Sequence, residues 1–346
     1  MADLEIIRRA PFNAETPAHA LLLPQTPSQH VYVRSNFDMP VLDDSHVIAF
    51  GGLAGKPFVI SARELMDMPQ HTVSVTMECA GNGRTSMAPL PVGEPWQNGA
   101  LSTASYTGVP LRSLLDRMKL EQAAAHLTFC GADSGTRSDI GSHVTFERSM
   151  PVQDALGNDV LLALSMNGER LTKEHGAPVR LVVPGWYGMA SVKWLARVEA
   201  NATPSEAWFQ TQRYVYEQED RVTPVTRMRV KSLIASPAQG ELCDPRVTVA
   251  GWAWSGEGAI TRVELAVDGG DSWTDAQLGT PSSSYSWVPW QCELSLVPGT
   301  RVALRSRATD SAGNVQPDLI VWNRLGYGNN AVATITVTVR SGTPAD

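Results

Sequence analysis

Residues 76–84 read TMECAGNGR. Just upstream, Val73, Val75 and Met77 alternate with Ser74, Thr76 and Glu78, the period of a strand with one buried face. That strand hands Cys79 to a turn marked by Gly81 and Gly83, with the cation of Arg84 five positions beyond the thiol. Three readings fit the stretch. A free cysteine is most often a small buried hydrophobe. A nucleophilic thiol would have its pKa lowered by turn N–H groups and Arg84, but it also wants a histidine base, and sequence alone places none beside it. A thiolate suits a redox metal, and the glycines would let the backbone approach a bulky cofactor. Such a metal would arrive mostly coordinated by something else, because no other ligands are recognisable nearby.

The whole chain narrows the choice. Its 346 residues suffice for one large core or two domains. Hydrophobic content of 43% and charged content of 18% describe an ordinary globular composition. A net charge of −7 gives no support for nucleic acid as a partner. No window approaches the roughly 18 apolar residues of a membrane span. Arg8-Arg9 is followed by Ala10-Pro11-Phe12-Asn13-Ala14-Glu15, too polar and broken for the apolar part of a signal sequence. The chain as given reads as cytoplasmic, or as periplasmic if a leader has been removed. Cys79, Cys130, Cys243 and Cys292 are scattered, with no CxxC pair and no CxxCH, so zinc-ribbon, iron–sulfur and haem readings are weak. The seven histidines lack zinc spacing.

The first two thirds read as mixed α and β. Ser61-Ala62-Arg63-Glu64 is a capping box opening a short helix on Leu65 and Met68. Pro110 precedes Leu111, Leu114, Leu115 and Met118, a helix with proline in its first turn. Val160 to Met166 is an apolar strand closed by Asn167-Gly168, a hairpin turn. Arg180-Leu181-Val182-Val183 is a further buried strand. From about Pro224 the texture changes to short strands around Val247, Val263, Val302 and Thr334, punctuated by Asp268-Gly269, Pro298-Gly299 and Ala312-Gly313-Asn314. That pattern predicts a β-sandwich. The expected organisation is α+β, with one domain over 1–224 and a second over 225–346.

TMECAGNGR resembles the molybdenum-ligand motif of the sulfite oxidase family, which holds molybdenum by the two sulfurs of molybdopterin and one cysteine. The resemblance spans almost the whole chain. It runs through Pro11-Phe12-Asn13-Ala14-Glu15, the segment from Val31 to Asn36, and Gly99 to Ala104. It continues through Ser165-Met166-Asn167-Gly168, the segment from Val183 to Gly188, and Val192-Lys193-Trp194-Leu195. Near the end Asn314-Val315-Gln316-Pro317-Asp318 resembles the family's immunoglobulin-like dimerisation domain.

By position, the resemblance implies that Cys79 is the metal ligand. Arg34 and Arg84 line an anion pocket, and Trp96 is its aromatic wall. Asn36, Asp133, His143, Arg148, Ser191 and Lys193 hold the pterin or its phosphate. It implies molybdenum with one molybdopterin and no haem, a small oxyanion substrate, a separate electron acceptor (a redox protein or dioxygen) and a homodimer. Two departures stand out. Leu164 occupies the place where the family's tyrosine is expected near the metal's open position, and Val288 that of a pocket arginine. Losing a hydroxyl and a cation would weaken oxyanion binding, since a hydrogen bond to a charged group is worth about 1.5–3 kcal/mol. The expected activity is oxygen-atom transfer, sulfite oxidation first and weak. Reduction of nitrate or a sulfoxide is the alternative, and a cysteine-nucleophile hydrolase is a remote one.

Overall fold

The computed structural model describes residues 4–218, 221–269 and 272–341. The predicted domain spans begin at residue 1 and end at residue 346, so their outer ends (1–3 and 342–346) lie outside the described residues.

Two sheets build the first part of the molecule. One runs Glu169–Arg170, Leu161–Met166, Leu101–Pro110, His71–Glu78, all antiparallel, and Arg180–Val182 also pairs with Leu161–Met166. The other runs Phe58–Ser61, Val47–Gly52, Leu195–Asn201, His126–Arg137, Ser142–Pro151. Within it the contact between Val47–Gly52 and Leu195–Asn201 is parallel and the rest are antiparallel.

The local signals act as the sequence leads one to expect. Ser61 caps Ala62–Met66: its hydroxyl accepts from the Glu64 N–H at 3.2 Å while the Glu64 carboxylate accepts from the Ser61 N–H at 2.8 Å. Helix Leu111–Met118 buries Leu111, Leu114, Leu115 and Met118, with Pro110 one residue earlier than expected, at the N-cap. Asn167 (φ 53°) and Gly168 (φ 81°) turn the chain between Met166 and its partner Glu169. Two consecutive positive φ values are the demand of a type I′ hairpin, which asparagine and glycine meet most cheaply.

The second part is a sandwich. One sheet runs Lys231–Ser236, Arg246–Trp254, Val288–Ser295, Gln277–Leu278. Its partner runs Leu242–Cys243, Thr334–Val339, Arg301–Asp310, Ile260–Val267, Trp273–Asp275. Inward residues such as Val249, Val263, Leu265, Trp290, Leu304 and Val337 form its own core. The architecture is therefore α+β, a mixed part followed by an immunoglobulin-like sandwich.

The tryptophans are divided between two duties. Trp290 fills the sandwich core, whereas Trp252, Trp254 and Trp287 belong to the large hydrophobic cluster of the first part. Trp252 stacks on Trp287 with ring centroids 4.8 Å apart. Their indole N–H groups donate to Leu21 O at 2.6 Å and Pro24 O at 2.9 Å. These aromatic residues thus weld the two parts within one chain. Among the described residues, no helix is long and apolar enough to cross a membrane.

Candidate active site

Cys79 follows directly on the strand His71–Glu78, and its N–H donates to Ala100 O at 2.8 Å. Glu78, Gly81 and Gly83 each have a structural reason. Glu78, 2% exposed, accepts through Oε1 from Lys231 Nζ (3.0 Å) and Asn82 Nδ2 (3.0 Å), and through Oε2 from Trp254 Nε1 (3.0 Å). Two of those donors come from the sandwich, so the residue preceding the thiol is latched from outside its own domain. At Gly81 a Cβ would lie 2.1 Å from the Arg84 guanidinium, which no real side chain could share. Gly83 has φ 78° and carries the chain into the short turn Arg84–Ser86.

Cys79 lines a partly open cavity. Of the residues expected at the site, Arg34, Asn36, Cys79, Asp133, Ser191 and Lys193 line it together. Arg34 donates to Asn36 Oδ1 at 2.6 Å and Asn13 Oδ1 at 3.3 Å. Lys193 Nζ donates to Ser35 Oγ (3.1 Å) and the Glu174 carbonyl (2.8 Å) and lies 4.1 Å from the Trp194 ring centroid. Ser191 Oγ accepts from the Val183 N–H at 3.0 Å, leaving its own proton to donate.

The cavity also contains residues that sequence reasoning missed: Tyr32, Tyr106, Glu174, His175, Arg180 and Tyr214. Arg180 is buried and donates to the carbonyls of His175 (3.2 Å) and Ser191 (3.0 Å). A signal for it existed, since an arginine opening the apolar run Arg180-Leu181-Val182-Val183 must be buried for a purpose. Tyr214 carried none, because it lies between the two recognised textures.

Four expected site residues do not line the cavity. Arg84, 2% exposed, donates to the Leu325 carbonyl through Nε (3.2 Å) and Nη2 (3.0 Å) and to the Glu94 carbonyl through Nη1. It stands behind the Cys79 turn, although its charge still favours the thiolate. Trp96 is fully buried in the cluster around Cys79 without reaching the cavity. His143 is exposed: period-two alternation along Ser142–Pro151 turns Phe146 inward to the cavity and His143 to the other face. Arg148 is buried, donates to the carbonyls of Phe209 and Val225, and sits 5.5 Å from the Tyr214 ring centroid. Burial pulls its pKa down to about 10.

Both expected departures are also revised. Leu164 belongs to the large hydrophobic core cluster and is not among the residues lining the cavity, which include Tyr32, Tyr106 and Tyr214. Val288 sits in a sandwich strand opposite Ala253, also away from the cavity.

The electrostatics favour an anion. Among the described residues lining the cavity, Arg34, Arg180 and Lys193 face two carboxyl groups, Asp133 and Glu174. Burial, Arg180 and Lys193 push His175 down to about 3, so it is neutral. Burial raises Asp133 against the pull of Lys193, and lowers Lys193 with the help of Arg180. Burial raises the Cys79 thiol, opposed chiefly by Arg34. Asp133 Oδ1 is buried without a hydrogen-bond partner. An orphaned acceptor beside unpaired cations is what a ligand with N–H donors and an anionic group would satisfy. Among the described residues no cluster of three or more histidine, cysteine and carboxylate side chains could hold a metal ion.

Comparison with known proteins meets this geometry. The family model of the oxidoreductase molybdopterin binding domain matches residues 36–209, and that of the Mo-co oxidoreductase dimerisation domain matches residues 222–340. The chain belongs to the sulfite oxidase family of molybdopterin oxidoreductases. It is 34% identical to the mitochondrial sulfite oxidase of Mus musculus, over 97% of this chain and 66% of that protein. Identity to the sulfite oxidase of Gallus gallus is 35%, over 95% and 76%. The chain thus spans just under two thirds of the mouse protein. Among solved structures it resembles the sulfane dehydrogenase SoxCD from Paracoccus pantotrophus, with a TM-score of 0.83 and 31% identity over 96% of this chain and 85% of that one.

The residues present fit the family's cofactor. Cys79 offers the thiolate, Arg180 and Lys193 offer cations for a phosphate, and Asp133 Oδ1 offers an unused acceptor for a pterin N–H.

Proposed function

We propose that the protein is a molybdenum-cofactor oxidoreductase that moves an oxygen atom to or from a small oxyanion, and that sulfite oxidation to sulfate is the reaction its site fits best. The observation that carries this reading is Cys79 lining one cavity together with three basic side chains, Arg34, Arg180 and Lys193, and with Tyr214. Bound molybdenum–molybdopterin supplies the two-electron redox chemistry. Asp133, Ser191, Arg180 and Lys193 hold it, and Cys79 is its protein ligand. Arg34 attracts and orients the anion, and Asn36 fixes the Arg34 fork. The Tyr214 hydroxyl, which accepts from Asn36 Nδ2 at 3.5 Å, donates to the oxyanion and can pass a proton to or from it. The residues lining the cavity are mostly buried, which strengthens each of these contacts.

A cysteine-nucleophile reading is disfavoured by the same geometry. Burial raises the Cys79 thiol, and burial with Arg180 and Lys193 pulls the cavity's His175 down to about 3, too weak a base to deprotonate it. The reading retains a domain division at 224/225, a homodimer through the sandwich, which the dimerisation-domain match supports, and a separate electron acceptor.

The test is the protein made in a host that supplies the cofactor, assayed for metal and for redox change with sulfite, nitrate and dimethyl sulfoxide. About one molybdenum per chain and oxidation of sulfite are expected. Turnover of nitrate or sulfoxide without sulfite would reassign it as a reductase, and lack of molybdenum would overturn the reading. Sedimentation as a stable monomer at micromolar concentration would remove the homodimer.

A further inference from the structure

Tyr327 comes from the sandwich part of the chain yet stacks on the cavity's Tyr214, with ring centroids 5.3 Å apart and planes inclined by 27°. The pair is bracketed by cations. Arg148 lies 5.5 Å from the Tyr214 centroid on one side, and Arg84 lies 5.4 Å from the Tyr327 centroid on the other. Aromatic pairs flanked by guanidinium groups gain from both the ring quadrupoles and the burial.

The loop carrying Tyr327 is fixed with unusual completeness. Asn323 clamps both its backbone groups, its Oδ1 accepting from the Tyr327 N–H (2.9 Å) and its Nδ2 donating to the Tyr327 carbonyl (2.9 Å). Gly326 and Gly328 flank it at φ 62° and 66°. A Cβ at Gly326 would lie 2.8 Å from Arg84 Nε, so the close approach needs glycine. The Gly328 N–H donates to the carbonyl of Ala80, the residue after the thiol, at 2.8 Å. Arg84 holds the Leu325 carbonyl. Four separate devices therefore seat one ring against Tyr214, although Tyr327 itself does not line the cavity. Among the described residues the Tyr214 hydroxyl has one hydrogen-bond contact, the 3.5 Å one from Asn36, too long to fix the ring by itself.

We infer that Tyr327 is a positioning residue: its ring holds Tyr214 in the orientation that presents the hydroxyl to the substrate anion. The site is then complete only when the sandwich loop is docked. This rests on the reading of Tyr214 proposed above.

The experiment is a double-mutant cycle on the metal-loaded protein with sulfite, using Tyr327→Leu, Tyr327→Phe, Tyr214→Phe and Tyr214→Phe/Tyr327→Leu. Tyr327→Leu keeps a buried apolar group but loses the ring, and should lower kcat/KM about five- to tenfold at unchanged molybdenum content. Tyr327→Phe, which keeps the ring, should stay within about twofold of wild type. In the Tyr214→Phe background Tyr327→Leu should add nothing further, because its effect passes through the missing hydroxyl. A full additive loss there, or a Tyr327→Phe as poor as Tyr327→Leu, overturns the inference. A crystal structure of Tyr327→Leu decides it without turnover: Tyr214 should change rotamer, and an unmoved ring would sink the idea. Failure of the functional reading would show separately, as wild-type protein with bound molybdenum and no sulfite oxidation.

Discussion

Arg34 and Arg84 carry the same charge near the same thiol, and sequence position suggests the same duty for both, but they serve different regions. Arg34 lines the cavity and donates to the side-chain amides of Asn13 and Asn36 and to the Ser35 carbonyl. Arg84 lies in the junction behind, where backbone carbonyls of residues 94 and 325 take its donors and the Tyr327 ring covers it. In the cavity one buried acceptor, Asp133 Oδ1, has no hydrogen-bond partner among the described residues. At the junction the Glu78 carboxylate is satisfied three times over. The difference separates two uses of buried charge: one is held ready for a ligand, the other is consumed in fixing the frame.

The contrast can be broken at its centre first. Cys79→Ser should reduce turnover to below roughly 1% of wild type, more than the 10–100-fold that changes around a metal ligand's outer partners cost. Wild-type activity with molybdopterin bound would remove Cys79 from the ligand role.

The two arginines give the sharper test. Arg34→Met should raise KM for sulfite about 10–150-fold, the worth of one hydrogen bond to a charged group, while the melting temperature stays nearly constant. Arg84→Met should do the reverse, losing stability through two deprived carbonyls while leaving KM much closer to wild type. Equal KM effects from both would erase the distinction between cavity and junction.

Leu164→Tyr, made attractive by sequence alone, should now fail to improve sulfite oxidation. It forces a phenol into a packed core and should destabilise by about 3 kcal/mol, measured by denaturant unfolding. A faster enzyme would mean the side chain reaches the cavity after all.

The smallest effect concerns Glu15, 1% exposed beneath the loop at Gly99, whose N–H it accepts at 3.2 Å. Burial raises its pKa from 4.5 to about 7. Because the folded value is the higher, its favourable contribution is complete below pH 4.5 and is lost as pH rises through about 7. Glu15→Gln keeps the acceptor and removes the titration. It should match wild type near pH 4.5 and exceed it by about 3 kcal/mol at pH 8. Equal stability at both pH values would show that Glu15 does not titrate this way.

What the sequence determined by itself was local, together with the motif chemistry. The alternation before Cys79, the capping box at Ser61, the Asn167-Gly168 hairpin and the change of texture near Pro224 each depend on a few neighbouring residues, whose φ, ψ and period are encoded in place. The exposure of His143, on the strand face opposite Phe146, was not read from the sequence, where only the resemblance spoke for it. Tertiary structure alone decided the cavity wall, gathered from segments around residues 34, 79, 133, 180, 193 and 214. It also decided that Trp252, Trp254 and Trp287 face the first domain, that Leu164 faces the core, and that Arg84 faces residue 325. The direction of a long side chain depends on strand register and on which surface packs over it. Those are properties of contacts between segments hundreds of residues apart, and no short window contains them.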